Sequence, residues 1–221
     1  DYAFSSIDDQ PMALEEINLT DGLFYIGDGA FKDCVYLMDV TIPSTVQTIG
    51  EYAFYNCHQL IVDFDTSNSN LLSIGDYSFY RNYSIRDVIL PSSLQTIGDY
   101  AFPAEEDDEL SMQLTTLILD GESKDLTDIG EGAFANCSSL LTYVVSEKVA
   151  RIGAKAFYNC SSLRVTFDPY NDVLEEIKPY TFYRNTNLVN INIPQSIETI
   201  GDYAFYGCTA LNRIESGSTT N

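Results

Sequence analysis

The chain has 221 residues, 45% of them hydrophobic, and carries 11 Lys and Arg against 33 Asp and Glu, for a formal charge of −22. That apolar content excludes a disordered tail. The charge excludes nucleic acid as a natural partner, because so acidic a surface repels phosphate backbones; it favours solubility, cations or basic partner surfaces.

No stretch approaches the roughly 20 apolar residues that a membrane span needs, so direct membrane insertion is not expected. The chain begins at Asp1 and shows no signal peptide, which reads as a processed or excised fragment.

The first element in chain order is the stump Tyr2-Ala3-Phe4 of a motif that then recurs throughout. A full copy is Ile49-Gly50-Glu51-Tyr52-Ala53-Phe54, with counterparts at 26–31, 74–79, 97–102, 129–134, 152–157 and 200–205. One copy, Ile177-Lys178-Pro179-Tyr180-Thr181-Phe182, is degenerate. The motif Phe residues at 31, 54, 79 and 102 each recur 103 residues later, so a four-repeat unit has been duplicated. Fixed periods of this length are the signature of a solenoid.

Six residues after each Phe a second pattern begins, as in Leu37-x-x-Val40-x-Ile42-Pro43 and Leu188-x-x-Ile191-x-Ile193-Pro194. Its β-branched residues alternate with polar ones, which predicts a short strand with one buried face. Pro, which cannot donate to a ladder, ends the strand. Parallel stacking of about nine such coils predicts a rod on the order of 40–45 Å long. A single coil cannot bury its own apolar face, so the repeated Leu, Val, Ile and Phe are expected to form internal ladders.

The Gly after each Ile is expected either to hold a positive φ or to permit close backbone approach. The acid, small residue and Phe that follow predict a single helical turn with the acid at its N-terminus. The expected class is therefore an α/β solenoid with parallel stacked short strands and short helical turns. It spans 1–214 as one domain, with an irregular acidic insert near 103–113 and a linker-like tail at 215–221.

These repeats resemble the BspA-like leucine-rich repeats, whose unit reads Leu-x-x-Ile-x-Ile-Pro, Val-x-x-Ile-Gly-x-x-Ala-Phe, then a small residue and Cys. Residues 40–57 fit that unit throughout, and the resemblance extends over essentially the whole chain. It implies a scaffold whose variable outward residues bind a protein or glycan, on an extracellular or cell-surface protein. An intracellular scaffold, or a binding region joined to an enzyme domain outside this chain, are the alternatives.

All five cysteines (Cys34, Cys57, Cys137, Cys160 and Cys208) sit three residues after a motif Phe, in a slot that Asn82 and Asn185 fill in other coils. Buried thiols that hydrogen-bond inward account for this sharing better than disulfides, since stacked Cβ vectors run parallel and an odd number leaves one over. The only histidine, His58, adjoins Cys57 but lacks the partners of a catalytic or metal site. No enzyme and no cofactor is expected.

The acids after Gly, among them Asp76 and Asp99, either cap their turns or stack closely enough to hold Ca²⁺. The Tyr residues flanking each Phe serve packing or partner contact. For partner binding, Ile89, Ile118 and Val144 occupy the outward strand position of three consecutive coils, flanked by Arg86, Asp87, Thr116 and Thr142. They form an apolar patch if that face is open, and an inner layer if the neighbouring insert covers it. The insert itself reads as a solvated loop or as a contact for a basic partner.

Overall fold

The structure, a computed structural model, describes residues 2–5, 12–105, 113–121 and 124–216. Residues 106–112 of the acidic insert and 217–221 of the tail lie outside the described residues.

Each coil contributes one long and one short strand. The long strands are β2 (Asp39–Ile42), β4 (Ile61–Phe64), β6 (Asp87–Leu90), β8 (Thr116–Leu119), β10 (Thr142–Val145), β12 (Arg164–Phe167), β14 (Asn190–Ile193) and β16 (Arg213–Ser216). The short ones are β1 (Tyr25–Ile26), β3 (Thr48–Ile49), β5 (Ser73–Ile74), β7 (Thr96–Ile97), β9 (Asp128–Ile129), β11 (Arg151–Ile152), β13 (Glu176–Ile177) and β15 (Thr199–Ile200). Every pairing is parallel and joins neighbouring coils. Pro43, Pro91 and Pro194 stand immediately after β2, β6 and β14, where the missing N–H stops the strand. At the C-terminal end, β16 takes in Glu215 and Ser216, two residues of the expected tail.

The core is a continuous ladder. Phe rings 4, 31, 54, 79, 102, 134, 157, 182 and 205 stack in one column, their centroids 4.8–5.8 Å apart and their planes within 18° of parallel. That spacing matches the separation of hydrogen-bonded strands, so one ring per coil fills the interior without a gap.

The expected helical turns are absent: no described residue is helical, and the fold is a parallel β-solenoid. The turn after Gly50 explains why. Ala53 and Tyr55 donate back to Gly50 and Tyr52 within the coil, whereas the intervening Tyr52, Phe54 and Asn56 donate forward to Asp76, Ser78 and Tyr80 of the next coil. A helix would spend all these donors internally and leave adjacent coils unbonded. Alternation is achieved with left-handed φ at Tyr52 (55°) and Asn56 (62°), and the pattern repeats at Tyr77 and Arg81 and at Tyr180 and Arg184.

Positive φ therefore belongs to the Tyr slot, and the glycine after Ile serves close approach. A Cβ built on Gly75 would stand 2.6 Å from the carbonyl carbon of Gly50, closer than real atoms approach. The degenerate copy confirms that role. The short strands β1, β3, β5, β7, β9 and β11 form one six-stranded sheet, which stops where Lys178 replaces glycine; β13 and β15 make a separate pair.

Candidate interaction surface

The long strands alternate outward and inward residues. In β6 and β8, Val88, Leu90, Leu117 and Leu119 point into the core, and Ile89 and Ile118 face out, directly paired across the ladder. In β10 the outward residue is Val144, paired with Thr166 of β12. Ile89, Ile118 and Val144 are each 49% exposed, so the described structure leaves this face open. In other coils the same position holds Thr41, Asp63, Thr166 and Asn192, all exposed.

The flanking residues are arranged by the same ladder. Asp87 and Thr142 are exposed and Thr116 half-buried. Asp87 accepts a hydrogen bond from Thr115 at 3.1 Å, and the Arg86 guanidinium donates to Gln113 at 3.2 Å. β8 and β10 share no sheet, and a shallow depression between them is lined by Ile118, Leu119, Lys124, Thr142 and Val144. The sequence pattern places Asp63 in the outward row but does not single out Arg164. Asp63 on β4 and Arg164 on β12 are both exposed, and neither forms an ion pair or side-chain hydrogen bond among the described residues.

The other candidates resolve into packing. All five cysteines are buried free thiols. Cys57, Cys137, Cys160 and Cys208 donate to the carbonyls of Phe31, Phe102, Phe134 and Phe182, and Asn82 makes the same bond to Phe54 at 2.8 Å. Burial pushes the Cys34 thiol up to about 11 and Cys137 up to about 12, which suppresses thiolate chemistry. His58 Nε2 lies 2.6 Å from the Asn56 side-chain oxygen, and its ring packs against Tyr83.

Of the stacked acids, Asp76 accepts from the backbone N–H of Asp99 at 2.7 Å, and Asp99 from that of Glu131 at 2.6 Å. Each acid therefore caps the following coil's turn and not its own. Among the described residues no group of three or more His, Cys, Asp or Glu is placed to hold a metal ion. Tyr52, Tyr77 and Tyr100 stack at 5.1 and 5.3 Å, as do Tyr183 and Tyr206 at 5.3 Å, so the tyrosines continue the coil ladder at the surface. No helix among the described residues is long and apolar enough to cross a membrane.

The model of the BspA type leucine-rich repeat region, in six copies, matches residues 1–113 and 109–221. The chain belongs to the BspA-type leucine-rich repeat family. Among solved structures, a leucine-rich repeat protein of T. pallidum is 26% identical with a TM-score of 0.57, over 87% of this chain and 74% of that one. The pneumococcal vaccine antigen PcpA is 22% identical with a TM-score of 0.64; 92% of this chain aligns, spanning 59% of PcpA. No curated protein matches. In this BspA-type chain the Leu, Ile and Phe of the family motif build the ladders, and the residues between them are left to vary on the surface.

Proposed function

We propose that this chain is a non-catalytic recognition or adhesion module of a cell-surface or secreted protein, and that it contacts its partner through the long-strand face centred on Ile118. The observation that carries this reading is the row Ile89, Ile118 and Val144. The same backbone position accepts Thr, Asp and Asn in other coils, so folding does not require an aliphatic side chain there. Three adjacent exposed aliphatics that the core does not use are a contact surface held ready.

The row favours a protein surface over a glycan, whose hydroxyls would leave three aliphatic side chains unmatched. Membership of the BspA-type family supports a surface location, since its members are commonly surface proteins. The protonated thiols and the engaged His58 offer no nucleophile or base, which supports a binding role over a catalytic one.

The test is adhesion of the purified chain to immobilised matrix proteins and to cells, wild type against Ile118→Asp. Binding should fall at least about tenfold, as for a central apolar contact, with the melting temperature nearly unchanged. Unchanged adhesion would refute the surface as the site of adhesion, and a collapse of the melting temperature would make Ile118 a core residue.

A further inference from the structure

The long-strand face is self-complementary. Nine coils present outward residues along it, if the segment containing Ile17 and Leu19 is counted as the first, and β8 with Ile118 is the fifth. Ile89 and Val144 lie one strand to either side of it, and Asp63 and Arg164 lie on the strands two to either side, roughly 10 Å along the axis. In the N-terminal half the outward residues are Asp39 and Thr41 of β2, Ile61 and Asp63 of β4, and Asp87 and Ile89 of β6. In the C-terminal half the outward residues of β12 and β14 are Arg164, Thr166, Asn190 and Asn192, and Arg213 of β16 is paired with Glu215.

We infer that the partner on this face is a second copy of the chain, docked about a twofold axis that runs along β8. The inference rests on the surface reading above and names its occupant. Rotation about that axis reverses the coil order and keeps the strand direction. Ile118 then meets its own symmetry mate, Ile89 meets Val144 of the other copy, and the half that holds Asp63 faces the half that holds Arg164. Arg164 lies one outward step along the strand from the residue opposite Asp63, within reach of its long side chain, and the pair forms twice. Two opposite charges left unpaired among the described residues, equally far from the centre of an apolar row, are what an isologous interface requires.

The geometry leaves the face accessible. Ile89, Ile118 and Val144 are exposed along it, and so are Asp63 and Arg164 on the strands beyond them. Eight four-residue strands offer on the order of 500 Å² per copy. A total near 1,000 Å² places the dimer at the weak end of specific interfaces.

Sedimentation of the purified chain at about 100 μM, above the range expected of so small an interface, should give twice the monomer mass of 24.7 kDa. Asp63→Lys and Arg164→Glu should each weaken the dimer roughly tenfold, and the two together in one chain should restore it, because every reversed charge again meets its opposite. A wild-type monomer, or a dimer indifferent to both reversals and to Ile118→Asp, overturns the inference. A monomer whose adhesion is still lost in Ile118→Asp keeps the surface and changes only its occupant; a monomer whose adhesion survives that substitution removes both.

Discussion

The Cys57 thiol donates to the Phe31 carbonyl at 3.1 Å, one coil back, and Asn82 donates to the Phe54 carbonyl in the next coil by the same path. In these two coils the slot holds a small inward donor, whereas the Asn185 side chain in the same slot finds no partner among the described residues. Cys57→Asn should unfold within about 1 kcal/mol of wild type, and Cys57→Ala should cost about 1–2 kcal/mol, by losing that bond and leaving a small cavity. Urea titration of the two variants makes the comparison. Equal losses would mean that the slot reads size alone.

Burial also sets a pH dependence. The folded thiols ionise above their ordinary range, Cys34 at about 11 and Cys137 at about 12. At neutral pH both folded and unfolded thiols are protonated, so stability is intact there. As pH passes the unfolded value near 8.5, the unfolded chain releases protons that the folded chain retains, and stability falls by up to about 1.4 kcal/mol per pH unit for each such thiol. Unfolding curves taken about one pH unit below that value, at it, and about one unit above it should show the decline beginning at the second. A thiol reagent should label the native protein far more slowly than the unfolded one.

Tyr143 occupies an inward strand slot that holds Val, Leu or Ile in other coils, and its hydroxyl is buried without a partner among the described residues. The ring lies 5.3 Å from Phe157. Tyr143→Phe keeps that contact and removes the orphan, so it should raise stability by about 1 kcal/mol. A loss on thermal melting would contradict this account.

Gly75→Ala should be severe, above about 3 kcal/mol, because the added Cβ meets the Gly50 carbonyl carbon and the coils must separate. Lys178→Gly should do the reverse, joining β11 to β13 and gaining stability. Both effects are read from melting temperature and from amide exchange at Ile152 and Ile177.

The register of the coils, the Phe column and the shared role of Cys57 and Asn82 were legible because each depends on a residue type recurring at a fixed spacing. The turn was misread because Asp-x-Ala-Phe has the local look of a helix start, and only the neighbouring coil turns alternate donors outward. The sequence did hold a clue: Gly29 and Gly132 stand in the Tyr slot, where φ is 57° and 56°. The openness of the Ile118 row needed the fold, since outward and covered residues look alike in a strand pattern. The strand pattern placed Asp63 in the outward row, but its relation to Arg164 carried no local signal, because it spans four strands and lies in the symmetry of the whole face.

Lys178 has a mechanical consequence. A stack of coils transmits load only through its nearest neighbours, and its seam lies where one such coupling is thinnest. The β10–β12 ladder still crosses that step, so under load from the C-terminal side only the short-strand edge should open first, between β11 and β13. The last three coils would then hinge on the β10–β12 ladder while the six-stranded remainder holds.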